Sequence, residues 1–197
     1  MAEISATMVR ELRDSSGAPM MDCKKALDEN AGDMTRATEW LRKKGIATAA
    51  KKAGRDAKEG LVFAYIHHNG RVGVLVEVDC ETDFVAKTDP FKDFVKDVAL
   101  HIASMNPRYL TRDEVPAELV AKEREIRAAQ VDGKKPKEVQ EKILEGGMAK
   151  FFAETCLLEQ PFVKEDSKTI EQLRAETVGK VGENLIIRRF ARYEIGV

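Results

Sequence analysis

The sequence predicts an α+β protein, with a small three-helix domain followed by a core in which a three-stranded antiparallel sheet packs against helices. Residues 1–54 carry helical patterns separated by turn residues. Residues 61–78 contain two alternating apolar runs on either side of Asn69 and Gly70, and residues 91–102 carry the apolar spacing of a long amphipathic helix. Helices, then a hairpin, then helices and a last strand is an α+β order.

The N-terminal helices are delimited by turn and capping residues. The first is expected to end at residues 15–19, Ser-Ser-Gly-Ala-Pro, where glycine and proline break a helix. Asp33 is expected to cap the third helix, and Gly45 stands where that helix should end. So small a core is only marginally stable, so residues 1–54 are predicted to be a satellite domain and residues 55–197 the α+β core domain.

A basic stretch follows the third predicted helix. Residues 41–58 contain seven Lys or Arg side chains and one acidic residue, Asp56. They could contact RNA or an acidic partner. The alternative is a solvated helix face and a linker, which the absence of any interleaved aromatic favours, since no side chain is available to stack on bases.

The hairpin carries the clearest strand signal in the chain. Asn69 and Gly70 form the strongest short signal for a two-residue hairpin turn. A two-residue turn fixes the register, so one face of the hairpin is apolar and must pack on the following helices. That inner face contains Leu61, Phe63, Tyr65, His67, Val72, Val74, Val76 and Val78. Residues 185–195 are rich in β-branched and aromatic side chains and can add the third strand.

Helices are predicted between the hairpin and the last strand. Asp89 and Pro90 mark the start of the long amphipathic helix, which should stop before Pro107. Residues 116–155 are charged and predict a protruding helical hairpin that turns at residues 132–133. Gly146 and Gly147 leave open whether its second helix is continuous or interrupted there.

Composition excludes several classes of protein. The net charge of −1 argues against a polyanion binder whose whole surface is basic. The longest apolar run is residues 61–66, far short of the roughly 20 residues of a membrane helix. No signal peptide is visible, and three widely spaced cysteines are expected to be reduced thiols in a cytoplasmic protein.

No metal, cofactor or catalytic site is expected. The sequence has no Walker-type phosphate loop and no paired Cys or His spacing typical of a metal site. His67 and His68 are adjacent on a strand and should point to opposite faces. Cys80 could in principle pair with a histidine as a nucleophile, but no third group can be named for it.

Residues 80–87, Cys-Glu-Thr-Asp-Phe-Val-Ala-Lys, combine apolar side chains with a position that should be a polar loop. Phe84 could tuck under the following helix, as a residue just before an N-cap can. Alternatively, Phe84 is an exposed aromatic anchor on a rigid base, with the Asp83 carboxylate beside it. Residue chemistry alone leaves both interpretations open.

The same segment resembles the signature of the bacterial translation elongation factor Ts family. So do residues 9–13 (VRELR), 17–27 (GAPMMDCKKAL), 49–53 (AAKKA), 71–76 (RVGVLV), 160–163 (QPFV), 181–184 (VGEN) and 187–190 (IRRF). These matches run through the whole chain in order. Two residues are unusual against the family pattern, Pro19 before the paired methionines and Gly147 where the family commonly has Arg or Lys.

The resemblance implies a guanine-nucleotide exchange factor for the GTPase elongation factor Tu, with no catalytic residue of its own. It implies an N-terminal domain similar to ubiquitin-associated domains that docks on the GTPase domain. Carried over by residue, docking falls to Arg13, Met20 and Met21. The element that enters the GTPase near its switch region and dislodges Mg²⁺ would be Thr82, Asp83, Phe84 and Val85.

The chain is expected to form a noncovalent homodimer. Longer family members carry two core subdomains, whereas this chain has room for one and resembles the short form. The hairpin face opposite the inner one carries Val62, Ala64, Ile66 and Leu75, and the last strand adds Phe190 or Tyr193 to one face or the other. Two copies related by a two-fold axis would bury this apolar surface. Residues 185–197 contain no cysteine, so no disulfide can join the copies there.

Two other functions remain possible from the sequence. The three-helix segment could belong to an adaptor that binds peptides or ubiquitin-like domains. The chain could also be a translation-associated RNA binder that uses residues 43–58 with Arg188, Arg189 and Arg192. RNA binding should weaken steeply as salt rises, which would separate it from the exchange-factor hypothesis, in which no specific nucleic-acid contact is expected.

Overall fold

A computed structural model of the chain describes residues 4–131 and 136–196. The first half contains α1 (Ala6–Ser16), α2 (Met20–Glu29), α3 (Met34–Lys52), β1 (Glu59–Ile66), β2 (Val72–Cys80), α4 (Asp83–Ala86) and α5 (Asp89–Met105). The second half contains α6 (Ala117–Gln130), α7 (Lys137–Thr155), β3 (Pro161–Phe162), β4 (Glu165–Thr169), α8 (Ile170–Val181) and β5 (Ile186–Glu194). Short 3₁₀ helices lie at Arg112–Glu114 and Leu157–Glu159.

The main sheet has three antiparallel strands, as predicted, and its strand order is β1-β2-β5. Val76 lies opposite Phe63 on one side and Phe190 on the other, which places Phe190 on the inner face. Tyr193 pairs with Gly73 and lies on the opposite face. Gly60 is required in β1, because its φ is +149° and a Cβ there would lie 2.2 Å from the Val78 carbonyl oxygen.

The inner face of the sheet packs on α5, and α8 completes the main core from the other side of α5 through its own contacts with that helix. The core includes Val74, Val76, Val78, Phe91, Phe94, Val95, Val98, Ile102, Ile170 and Val178. This confirms the predicted amphipathic helix, with one shift at its start: Thr88 is the N-cap, and Asp89 and Pro90 form the first turn. At the other end, Asn106 adopts a left-handed conformation and ends α5.

The three N-terminal helices form a second hydrophobic cluster. Leu12, Cys23, Ala26, Leu27 and Ala37 are buried in it. The N-cap prediction at Asp33 is confirmed, since its side chain accepts from the Arg36 N–H. The likeness to ubiquitin-associated domains and the division of the chain at residue 54 stay predictions.

The prediction that Gly45 ends the third helix is wrong. The helix continues to Lys52, and Gly45 is buried where α3 crosses α8. A Cβ at Gly45 would lie 3.2 Å from the Ala175 carbonyl oxygen, so the glycine allows the two helices to approach closely. Packing outweighs the intrinsic cost of glycine inside a helix, about 1 kcal/mol. Farther along α3, Ala49 belongs to the main core.

The charged hairpin of α6 and α7 is present, with its predicted turn at residues 132–133 outside the described residues. Gly146 and Gly147 do not interrupt the second helix, because α7 runs unbroken from Lys137 to Thr155. Gly147 faces α6, where a Cβ would lie 3.0 Å from Cδ of Arg127. The glycine therefore makes room for a side chain of the neighbouring helix.

A small hairpin of β3 and β4 joins α7 to α8 and was not predicted. The sequence of β4, Glu-Asp-Ser-Lys-Thr, has no apolar alternation to reveal a strand. Buried His101 of α5 anchors this hairpin. Its Nδ1 accepts from the Val163 N–H at 3.2 Å, and its Nε2–H donates to Oε1 of Gln160 at 2.9 Å.

Candidate functional site

The turn between β2 and α5 presents one aromatic side chain to solvent. This α4 turn, residues 82–86, is a single helical turn, with Thr82 as N-cap accepting from the Val85 N–H at 3.4 Å. Phe84 is 78% exposed, whereas Val85 and Ala86 are buried in the main core. The alternative in which Phe84 tucks under the next helix is therefore wrong. Successive residues of a helical turn point about 100° apart, so Val85 anchors the turn and Phe84 points outward.

A charged pair flanks the exposed ring. The Asp83 carboxylate accepts from Nζ of Lys87, one turn later, at 2.5 Å. The hydrogen bond from Lys87 lowers the pKa of Asp83 below its usual range. The carboxylate is therefore ionised at neutral pH and adds a negative charge beside Phe84.

The base of the α4 turn is held by the segment between α8 and β5. The Glu183 carboxylate accepts from the Thr82 hydroxyl at 2.7 Å and from the backbone N–H groups of Thr82 and Glu81 at 3.0 and 3.1 Å. The Asn184 N–H donates to the Glu81 carboxylate at 2.7 Å. Residues 181–184 resemble a family motif, but no spacing rule connects them to residues a hundred positions earlier.

Cys80 is not an activated nucleophile. Its thiol is buried and donates to the Thr82 carbonyl oxygen at 3.1 Å. Burial, with a further contribution from the Glu183 charge, raises the pKa of Cys80 to about 11, so the thiol is protonated at neutral pH. A protonated buried thiol is suited to packing rather than to covalent catalysis.

The two adjacent histidines lie beyond the end of β1 rather than on it. Their ring centroids are 4.2 Å apart, so the expectation that His67 and His68 point to opposite faces is wrong. Nδ1 of His67 hydrogen-bonds to the Tyr65 hydroxyl at 3.0 Å. Within residues 4–131 and 136–196, no group of three or more His, Cys, Asp or Glu is placed to hold a metal ion.

The residues assigned to docking surround the corner between α1 and α2. Arg13 lies in the last turn of α1, and Met20 and Met21 are the first two residues of α2. All three are exposed, Met20 at 51% and Met21 at 73%. Between the helices, Gly17 has a φ of +66° and its N–H donates to the Arg13 carbonyl oxygen. This α1–α2 corner is thus a tight turn with two flexible apolar side chains at its surface.

The C-terminal end of α8 contacts both the corner and the support of the α4 turn. A Cβ at Gly17 would lie 3.1 Å from Cε of Lys180, so the corner packs against that side chain. Nζ of Lys52, at the end of α3, donates to the Gly182 carbonyl oxygen. Glu183 follows directly, so one short segment reaches from the corner to the α4 turn.

Comparison with known proteins identifies the family. The family model described as "Elongation factor TS" matches residues 46–196, which is more than half of the chain. The chain belongs to the elongation factor Ts family. Three relatives named elongation factor Ts support this over nearly the full length: 57% identity to the protein of Anaeromyxobacter sp. strain Fw109-5 (100% of this chain, 90% of the relative), 57% to that of Carboxydothermus hydrogenoformans (98% and 89%) and 55% to that of Moorella thermoacetica (98% and 96%).

Membership in the elongation factor Ts family supports a role in translation elongation, and it confirms the resemblance found in the sequence. The motif at residues 80–87 contributes the α4 turn, and the motif at residues 17–27 contributes Met20 and Met21. Among the described residues, no helix is long and apolar enough to cross a membrane.

The basic residues of this elongation factor Ts chain are engaged largely in internal contacts. Arg42 donates to the Ser167 carbonyl oxygen and the Gln172 side chain, and Lys44 pairs with Asp22. The predicted solvated face is therefore wrong for these side chains, which connect α3 to α8 and α2. Three arginines of β5 are paired as well: Arg188 with Asp79, Arg189 with Glu77, and Arg192 with Glu194. This pairing weakens the RNA-binding alternative.

Proposed function

We propose that the protein is a guanine-nucleotide exchange factor that promotes GDP release from the GTPase elongation factor Tu. The observation that carries the proposal is Phe84, 78% exposed on a turn whose other apolar residues are buried. A large aromatic side chain held in water on a rigid support is typical of an interaction anchor. Membership in the elongation factor Ts family supports this GTPase as the partner.

The α4 turn acts as a wedge in this proposal. Phe84 enters the GTPase near its switch region, Asp83 brings its negative charge to the same place, and together they dislodge the Mg²⁺ that holds GDP. Val85 and Thr82 hold the turn in place when Phe84 contacts the GTPase, since Val85 is buried and Thr82 is hydrogen-bonded to Glu183. The chain supplies no catalytic residue, and the reaction it accelerates is a dissociation.

Docking is assigned to the α1–α2 corner. Arg13, Met20 and Met21 are exposed there, and no other part of the described chain covers them. Methionine side chains are unbranched and polarizable, so they adapt to the shape of a partner surface. Contact through this corner places the α4 turn at the GTPase, because both are connected to the end of α8.

Burial of Phe84 alone does not supply enough free energy for the proposed acceleration of GDP release. Accelerating GDP release by about a thousandfold lowers the barrier by about 4 kcal/mol. Burying one Phe side chain contributes roughly 1.5–3 kcal/mol. The rest of the lowered barrier must come from other contacts that the core domain makes with the GTPase. Coupling is also reciprocal, so GDP must weaken the binding of this protein to the GTPase by the same factor.

We also propose that the protein is a noncovalent homodimer that works in the cytoplasm, where translation takes place. The outer face of the sheet, defined by Val62, Ala64, Ile66, Leu75, Ala191 and Tyr193, points away from α5. Its four large members are exposed, with Val62 at 70%, Ile66 at 66%, Leu75 at 48% and Tyr193 at 71%. Glu77 and Arg189 form an ion pair on the same face beside Val62, and the remaining side chains are apolar. A largely apolar face of this kind supports a two-fold contact between identical copies.

The experiment that tests the exchange function measures release of fluorescent GDP from purified elongation factor Tu, with excess unlabelled GDP and increasing amounts of this protein. Release should accelerate by about a thousandfold at saturation. Unchanged release would contradict the proposal. A parallel filter-binding titration with RNA tests the alternative, for which binding should be strong at low salt and fall steeply as salt rises.

A further inference from the structure

We infer that Glu183 and Asn184, in the segment between α8 and β5, are positioning residues that fix the α4 turn relative to the α1–α2 corner. The inference rests on the proposed exchange function and assigns a role that the exposed residues cannot fill. Phe84 can displace groups of the GTPase only if the backbone of the α4 turn is fixed relative to the rest of the protein. The contacts that hold it come from this segment.

Glu183 holds the turn through three hydrogen bonds. Its carboxylate accepts the Thr82 hydroxyl at 2.7 Å and two consecutive backbone N–H groups, those of Glu81 and Thr82. Hydrogen bonds to an ionised acceptor are shorter and stronger than those between neutral groups. Because the Thr82 hydroxyl donates to Glu183, its lone pair is left to accept from the Val85 N–H and cap α4.

Asn184 connects the same point to the loop that follows α3. Its side-chain Nδ2 donates to the Arg55 carbonyl oxygen at 3.0 Å, and its backbone N–H donates to the Glu81 carboxylate at 2.7 Å. Asn184 is buried, and its Oδ1 has no hydrogen-bond partner in the part of the chain that the structure describes. Burying an acceptor without a partner is unfavourable. The structural role of Asn184 therefore lies in the hydrogen bonds that its backbone N–H and its Nδ2 donate.

The segment also reaches the α1–α2 corner. Lys52 bonds to the Gly182 carbonyl oxygen, and Lys180 packs against Gly17 of the corner. Residues 180–184 therefore contact the corner, the end of α3 and the base of the α4 turn. Movement of this segment would change the separation and angle between the docking surface and Phe84.

Positioning predicts a specific kinetic change. In Glu183→Ala, the corner still docks, so the protein concentration that gives half-maximal exchange should change less than threefold. The maximal rate of GDP release should fall by about tenfold, because the wedge enters the GTPase with less support. Amide hydrogen exchange at Glu81 and Thr82 should accelerate, since both N–H groups lose their acceptor.

The test compares wild type, Glu183→Ala, Glu183→Gln and Glu176→Ala in stopped-flow release of fluorescent GDP from elongation factor Tu. Glu183→Gln keeps one acceptor oxygen and the side-chain length, so it should recover part of the maximal rate. Glu176 lies on α8 and pairs with Arg42 and Lys168, not with the α4 turn. Its variant is the matched control and should keep the wild-type maximal rate.

A double-mutant cycle tests the contact itself. Thr82→Val removes the hydroxyl that Glu183 accepts, so combining it with Glu183→Ala should slow release by less than the product of the two single effects. If Glu183→Ala does not fold, Glu183→Gln and Thr82→Val carry the same comparison.

The outcomes separate this inference from the exchange function. A wild-type protein that leaves GDP release unchanged contradicts the exchange function itself. Wild-type acceleration with an unchanged maximal rate in both Glu183 variants overturns only the positioning role. An equal loss in Glu176→Ala, or unchanged amide exchange at residues 81 and 82, also overturns it.

Discussion

The α4 turn and the outer face of the sheet both expose apolar side chains, but in different surroundings. Phe84 stands alone on a four-residue helix, beside the ion pair of Asp83 and Lys87. The outer face instead spreads its exposed side chains over three adjacent strands. A single protruding ring suits brief insertion into a partner, whereas a broad, largely apolar face suits a lasting contact. Exposure alone therefore does not define a site; the shape and support of the exposed group do.

The largest expected effect is on the α4 turn. Phe84→Ala should slow stimulated GDP release by at least about tenfold, because it removes a side chain whose burial in the partner contributes roughly 1.5–3 kcal/mol. The thermal melting temperature should stay within about 1 °C of wild type, since Phe84 makes little contact with the core.

Ile126→Ala is the matched control for Phe84→Ala. Ile126 is 45% exposed on α6, in the helical hairpin and away from both proposed contact surfaces. Its variant should exchange GDP at the wild-type rate. A melting temperature that drops by many degrees in Phe84→Ala would show that the side chain belongs to the core and that the wedge hypothesis is wrong.

The second effect concerns the outer face. Val62→Lys combined with Tyr193→Lys places charges on two strands of this face, and burying unpaired charges in a dimer interface is strongly unfavourable. Sedimentation equilibrium at low micromolar concentration should show a dimer for wild type and a 22.0 kDa monomer for the variant. The control Ile126→Lys also replaces an apolar residue by a charged one, but on α6, and this variant should remain dimeric. A monomeric wild type would contradict the homodimer proposal.

A smaller effect is expected at the α1–α2 corner. Met20→Ala combined with Met21→Ala should raise the half-saturating concentration in the GDP-release assay by about fivefold, with little change in the maximal rate. This is the reverse of the pattern expected for Glu183→Ala, so the two variants distinguish docking from positioning. A fall in the maximal rate with an unchanged half-saturating concentration would contradict the docking role.

The smallest effect is on stability and involves His101. Burial lowers the pKa of this neutral imidazole, and the hydrogen bond from its ring to Gln160 only partly opposes the shift. The unfolded chain therefore binds a proton more readily, so the free energy of unfolding should fall as the pH drops below about 6.5. Urea unfolding at pH 7.5 and pH 5.5 measures this, and His101→Gln should reduce the pH dependence. If the free energy of unfolding depends on pH equally in wild type and in His101→Gln, His101 is not the cause of the pH dependence.

Local signals predicted the elements whose residues are close in sequence. The hairpin register predicted from Asn69 and Gly70 is observed, but the predicted two-residue turn is wrong: the strands end at Ile66 and Val72, and the Gly70 N–H donates to the His67 carbonyl oxygen. The apolar spacing of residues 91–102 identified α5. Phe84 was recognised as out of place in a polar turn, but its exposure depended on how Val85 packs, which no local pattern reveals.

The features that were missed depend on contacts between distant residues. Gly45 lies inside a helix because α8 crosses it there, and β4 forms although its sequence is polar. Glu183 supports a turn a hundred residues earlier in the chain, and only the folded structure shows the two together. Propensity is a weak signal where tertiary packing decides the outcome.

The most direct test of the exchange mechanism measures GDP release from elongation factor Tu with Mg²⁺ present and after its removal by a chelator. If the α4 turn acts by dislodging Mg²⁺, chelation alone should accelerate release, and the additional acceleration by this protein should be at least about tenfold smaller than with Mg²⁺. The same fold-acceleration with and without Mg²⁺ would contradict the mechanism.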